Sequence, residues 1–210
     1  MGYMLRYHES FRQVAEWARS GFLGDVFSVR AHMSTFLTPP AQQAIADCHD
    51  GGILYDLSGH MLDQIVWMLG RPVSVTSFLR NDSGQVAAFK DNCLGVYEFE
   101  TAIGPVDIAA IETRPMARRF EVYGTKGSAI ILEPFEPGNR IRLCLDEARD
   151  GYEEGEQLIE MTTRGRQECY DAELVDFIGV VRDGREPIRD LDHELLVQET
   201  ILRAAGELRG

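Results

Sequence analysis

Apolar residues recur at helical spacing near the start of the chain. Phe11, Val14, Ala15, Ala18 and Phe22 share one side of a helix, and Ser10-Phe11-Arg12-Gln13 before them has the form of a capping box. Gly21 and Gly24 are its stop signals. The short aromatic and apolar run Gly2–Tyr7 reads as a strand. From Val26 to Phe36 the pattern alternates, with Phe27, Val29, Ala31 and Met33 on one face and Ser28, Arg30, His32 and Ser34 on the other. Leu37 to Asp50, with Pro39-Pro40, reads as a loop with room for a short helical turn. A second helix is predicted over Tyr55 to Leu69, opened by Gly51-Gly52 and closed by Gly70 and Pro72.

A long series of strand candidates follows: Val73–Leu79, Cys93–Glu100, Val106–Thr113, Arg119–Tyr123, Ser128–Leu132, Ile141–Leu145 and Leu158–Met161. Turn-rich separators such as Asn81-Asp82-Ser83-Gly84 and Gly124-Thr125-Lys126-Gly127 are too short to hold crossover helices. The sheet is therefore expected to be largely antiparallel. Two helices close the chain. One covers about Cys169 to Arg182, with Leu174, Phe177, Ile178 and Val181 as its apolar stripe. The other covers about Leu191 to Leu208, with Leu195, Ile201, Leu202 and Ala205 inside. Strands in a run with segregated helices mean an α+β fold: a mostly antiparallel, open-faced sheet with helices packed on one face. No repeat or linker divides residues 1–210, which read as a single domain.

Charge narrows the partners. With 34 acidic and 21 basic residues the formal net charge is −13, which argues against a nucleic-acid surface and against docking on an anionic membrane. No apolar run reaches the ~18 residues of a membrane span, and no secretory signal is visible, so a cytoplasmic location is expected. Cys48, Cys93, Cys144 and Cys169 form no CxxC and read as free thiols. Only Lys90 and Lys126 are lysines, so a catalytic Lys has few candidates. No glycine-rich phosphate loop occurs; Gly124-Thr125-Lys126-Gly127 lies between two strands and reads as a hairpin turn.

The most informative stretch is Gly51 to Asp63. Asp56, His60 and Asp63, at i, i+4 and i+7, fall within about 60° of one another on a helix, opposite Leu57, Met61, Leu62, Ile65 and Leu69. A solvated polar face is the plain reading of such a pattern. Against it, Trp67 projects onto the same side as His60, and Gly52 and Gly59 leave room there for a close approach. A carboxylate one turn before a His can orient the ring and raise its basicity, which suits a general acid/base near neutral pH. Metal binding by the same face, with Asp47-Cys48-His49-Asp50 adding ligands, is a rival use, but no zinc spacing such as HExxH is present and no metal is assigned. Arg30 and His32 either line a pocket or face water. His193, between Asp192 and Glu194, reads as part of an exposed charge cluster at a helix start.

Four segments resemble the C-terminal domain of the glucose–fructose oxidoreductase/inositol dehydrogenase (Gfo/Idh/MocA) family. They are Gly2-Tyr3-Met4-Leu5-Arg6-Tyr7-His8, Ser20-Gly21-Phe22-Leu23-Gly24-Asp25-Val26, the Gly51–Asp63 helix, and Phe120-Glu121-Val122-Tyr123-Gly124-Thr125-Lys126-Gly127. The closing Glu173–Phe177 and Asp183–Pro187 stretches fit as well. The resemblance implies an NAD(P)-dependent oxidoreductase acting on a hydroxyl of a sugar, cyclitol or related polyol. It implies catalytic roles for His60 and Asp56: His60 exchanges the hydroxyl proton, and Asp56 holds the imidazole or binds substrate. Asp63 and Arg6 follow as substrate-binding residues, Asp63 with helix anchoring as its other role. The resemblance further implies pairing of copies into a homo-oligomer through the open sheet face.

One departure is large. Family members begin with a dinucleotide-binding Rossmann domain of roughly 100–150 residues, which supplies the cofactor loop and a catalytic Lys. Lys90 and Lys126 do not match that Lys. The expectation is a substrate-binding and oligomerising half of such an enzyme, inactive alone. NAD or NADP would serve the complete two-domain enzyme, and this chain alone is expected to bind neither. A Rossmann domain on a missing segment or a separate chain is the expected partner. The alternative is a non-catalytic assembly or ligand-binding module derived from the same domain.

Overall fold

A computed structural model describes residues 2–115, 117–134 and 138–208. Eight strands form one sheet: β1 (Val26–Met33), β2 (Ser74–Arg80), β3 (Asn92–Glu98), β4 (Ile103–Ala109), β5 (Arg118–Gly124), β6 (Gly127–Leu132), β7 (Arg140–Leu145) and β8 (Gly155–Glu160). Their order is β2-β3-β4-β1-β5-β6-β7-β8. Neighbours joined by tight turns pair antiparallel, as short connections require. The pair β1–β4 is parallel, because two helices and the β2–β3 hairpin intervene before the chain returns beside β1. The helices are α1 (Glu9–Arg19), α2 (Pro39–Ala46), α3 (Gly52–Leu69), α4 (Arg166–Asp183) and α5 (Leu191–Ala205). No helix among the described residues is long and apolar enough to cross a membrane.

The core lies between one sheet face and the helices α1, α3 and α5. Val29, Ala31 and Met33 of β1, Val106 and Ile108 of β4, and Phe120 and Val122 of β5 point into it and are buried. Phe11 and Val14 of α1 and Met61, Leu62 and Ile65 of α3 meet them from the other side. The fold is α+β, as the order of elements predicts.

Several local expectations change. Gly2–Tyr7 is not a strand; Met4–Tyr7 is a 3-10 turn. Tyr3, Met4 and Leu5 are all buried, and three consecutive buried residues suit a turn wedged between helices better than a strand that alternates its faces. Ser10 does not cap α1, which starts at Glu9. Ser10 is fully buried inside the helix and its Oγ donates to the Gly138 carbonyl at 2.5 Å. Phe27 leaves the buried face of β1 because the register against β5 shifts between Val26 and Ser28. Leu195 of α5 is also exposed. The largest correction concerns α4, whose apolar stripe faces solvent; Cys169 is its one buried residue.

The β5–β6 turn has Gly124 facing Gly127, and it docks on the α1–β1 junction. Lys126 N donates to the Leu23 carbonyl at 2.9 Å, and Asp25 N donates to Thr125 Oγ1 at 3.0 Å. A Cβ on Gly124 would fall within 2.9 Å of the Leu23 carbonyl carbon, so the glycine serves this close backbone approach.

Candidate active site

Helix α3 is mostly buried, on more than one side, and its glycines explain how. A Cβ on Gly59 would fall 2.8 Å from Tyr3 Cε1 and 3.2 Å from Ile201 Cδ1. One on Gly52, where φ is +56°, would meet the Lys90 backbone nitrogen at 2.7 Å. The space predicted for an approaching ligand is therefore taken by the N-terminal turn, α5 and the segment before β3.

His60 sits midway along α3, partly buried, with the Tyr3 ring edge-on at 6.0 Å. Its Nδ1 is buried and has no hydrogen-bond partner. Burial lowers its pKa; Asp63 pulls the other way, while the positive charges of Arg118 and Arg166 reinforce the lowering. The ring is thus held toward its neutral form. Tyr3 donates no proton readily: burial raises its pKa, and its hydroxyl accepts from Gln198 Nε2 at 2.7 Å.

Asp56 is exposed, and among the described residues no hydrogen bond joins it to His60. Partial burial raises its pKa, against the opposing effect of His49. His49 in turn stacks on Tyr55, with ring centroids 4.1 Å apart. The carboxylate one turn before the imidazole is present, but it does not hold the ring in this arrangement.

Asp63 has no exposed surface and is the hub of a charge cluster. Arg6 reaches it in a fork, Nε to Oδ1 at 3.0 Å and Nη2 to Oδ1 at 2.7 Å, while Arg6 Nη1 contacts Glu194 Oε1 at 2.5 Å. Arg189 Nη1 donates to Oδ2, Gln64 Nε2 donates to Oδ2 at 3.0 Å, and His193 Nε2 lies 2.9 Å from Oδ1. Burial alone would raise the Asp63 pKa; His193, Arg189 and Arg6 overcome it and hold the carboxyl below its ordinary range. The cluster ties the N-terminal turn, α3 and the start of α5 together. Asp190 completes it by capping α5, accepting from His193 N at 2.9 Å.

Arg6 also lines a cleft of about 750 Å³ with Arg12, Arg19, Trp67 and Arg189. Two of these guanidinium groups lie over Trp67, Arg19 at 3.9 Å and Arg189 at 5.1 Å from the ring centroid. Arg189 is missed by sequence reasoning, and His193, read there as part of an exposed charge cluster, is instead buried against Asp63. They lie 126 and 130 residues from Asp63 along the chain, and a charged run before a helix looks like any exposed helix start. Asp63 turns into this cluster and away from any shared site with Asp56. No group of three or more His, Cys, Asp or Glu side chains is placed to hold a metal among the described residues. On the open sheet face, His32 is paired, with Nδ1 3.0 Å from Asp107 Oδ2 and Nε2 2.9 Å from Ser34 Oγ.

The sequence profile of the GFO/IDH/MocA C-terminal domain matches residues 11–130, more than half of the chain. The chain belongs to the GFO/IDH/MocA family. It is 26% identical over 200 residues to the uncharacterized oxidoreductase YdgJ of Escherichia coli, covering 87% of this chain and 56% of that protein. The fold matches an oxidoreductase from Agrobacterium radiobacter solved in complex with NAD+, L-tartaric acid and magnesium, with a TM-score of 0.78 at 16% identity over 98% of this chain and 61% of that one. It also matches a putative myo-inositol dehydrogenase from Sinorhizobium meliloti, with a TM-score of 0.71 at 23% identity over 99% and 63%. The chain thus spans less than two thirds of the length of these proteins.

Proposed function

We propose that this chain is the substrate-binding and oligomerising half of an NAD(P)-dependent oxidoreductase that acts on a hydroxyl of a sugar, cyclitol or related polyol. His60 carries the reading: an imidazole biased to its neutral form, with one ring nitrogen unpartnered, beside the N-terminal turn. In the direction of oxidation His60 takes the proton of the substrate hydroxyl, and in reduction it returns it. Asp56, on the same side of α3 one turn earlier, binds a neighbouring hydroxyl. Asp63 and Arg6 support the site from behind, Asp63 by anchoring α3 and Arg6 by presenting its remaining face to the cleft.

The chain's own residues do not fit a dinucleotide cradle. The one glycine-flanked turn with a Lys joins two antiparallel strands and is packed on Leu23 and Asp25, with no helix N-terminus behind it. NAD(P), which would supply the hydride acceptor, is therefore assigned to a dinucleotide-binding domain outside this chain. Copies of the chain pair through the open sheet face, where Phe78, Ile103 and Leu158 are exposed and no helix among the described residues covers the strands.

Two measurements test the reading. The portion of YdgJ outside the match, fused ahead of this chain, should reduce NAD+ or NADP+ with a cyclic polyol such as myo-inositol. His60→Ala should then lower kcat by about 10²–10⁴-fold, the usual range for a general acid/base. Full activity in that variant would remove the catalytic role. Calorimetry of the isolated chain should detect no NADH or NADPH binding at micromolar concentration; binding there would show that the chain is not a half.

A further inference from the structure

Helix α4 is turned the wrong way round for a helix of a self-sufficient domain. Its inward side has Cys169 as its one buried residue and is otherwise held by polar contacts. Tyr7 Oη donates to Asp176 Oδ2 at 2.8 Å, and the backbone N–H of Arg164, just before the helix, donates to Glu9 Oε2 at 2.8 Å. Its apolar side faces out: Leu174, Phe177, Ile178 and Val181, spaced i, i+3, i+4 and i+7, are 58%, 63%, 49% and 68% exposed. A contiguous apolar stripe of this kind on a surface marks a contact site.

Position and length identify what it contacts. The chain is the C-terminal domain of its family, so family members carry a domain ahead of it, and more than two fifths of YdgJ lies outside the match. The first described residue, Gly2, runs against α4: a Cβ there would come 3.9 Å from Glu173 Oε2. A domain joined ahead of Gly2 would enter the molecule beside the exposed stripe.

We propose that the outward apolar face of α4, Leu174, Phe177, Ile178 and Val181, is the docking face for the dinucleotide-binding domain. This rests on the functional reading above, from which it takes the identity of the partner. Docking would cover the stripe and hold the cofactor domain against the N-terminal turn, one side of which carries Tyr3 and hence His60.

Hydrogen exchange followed by mass spectrometry tests it without turnover. In the fusion of the unmatched YdgJ portion with the full chain, amides of 170–182 should exchange at least tenfold more slowly than in the isolated chain. Phe177→Glu with Val181→Glu should restore the faster exchange and leave the β1 and β5 core amides unchanged. Phe78→Glu, on the open sheet face, should not restore it. Unchanged exchange over 170–182 in the fusion overturns the proposal. So does an isolated chain that sediments as a dimer and becomes monomeric with Phe177→Glu, because a second copy would then occupy the face. A fusion that protects α4 yet reduces no cofactor keeps the docking face and removes the assigned activity.

Discussion

Helices α3 and α4 have the same length, 18 residues, and opposite surroundings. In α3 even a carboxylate, Asp63, is fully buried, and Tyr3, Ile201 and the Lys90 backbone pack into its glycines. In α4 even a phenylalanine is largely exposed, and beside the buried Cys169 polar groups such as Asp176 make contacts to the rest of the chain. Amphipathic spacing announces that a helix has an apolar side. What covers that side is decided by the rest of the structure, or by a partner. The two helices therefore respond differently to the same kind of substitution.

The greatest loss is expected at Asp63. Asp63→Ala leaves the buried Arg189 guanidinium and Arg6 without their shared carboxylate, and stability to urea should fall by about 3–5 kcal/mol. The same residue gives the chain an acid limb. Its folded pKa lies below the unfolded value, so the stabilisation is present above the ordinary carboxylate range of about 4 and is lost as pH falls through the depressed folded pKa. Urea midpoints below about pH 4 should drop steeply in the parent chain and more gently in Asp63→Ala. Next comes the apolar side of α3: Leu62→Ala, at a site with no exposure, should cost about 2–5 kcal/mol.

His60 gives a smaller, pH-dependent effect. Its folded pKa is lowered, so its neutral form stabilises the fold above about pH 6.5, the ordinary value, and that contribution fades as pH falls toward the folded pKa. Its imidazole resonance should titrate with a midpoint below about 6.5, and His60→Gln should flatten the stability profile in that window. A midpoint above the ordinary value would mean that Asp63 outweighs burial and the two arginines.

The succession of strands and helices after the N-terminal turn, the hairpin at Gly124–Gly127 and the helix bearing His60 were legible in the sequence, because each rests on periodicity or turn chemistry within about 20 residues; the place of β1 beside β4 in the sheet was not. The Gly51–Asp63 stretch marked a helix with polar residues along its length, and α3 is that helix. What stayed hidden were the partners. Asp63 meets Arg189 and His193 across more than a hundred residues, and nothing local distinguishes an arginine aimed at a buried carboxylate from one aimed at water. The Gly2–Tyr7 turn was hidden for a related reason. A short apolar run shows that residues are buried, and only the packing of α3 and α4 around it decides between a strand and a turn.

The smallest expected effect sharpens the comparison most. Phe177→Ala removes a large aromatic side chain, and in a core that would cost about 3–5 kcal/mol. Here the ring is already in water when the chain is folded, so folding gains little from it, and the urea midpoint of the isolated chain should correspond to a change within about 0.5 kcal/mol. A loss of core size would mean that α4 folds back on its own chain and that its stripe is internal. Paired with a marked loss in the two-domain fusion, a near-zero value in the isolated chain would separate residues that hold this domain together from residues that join it to another.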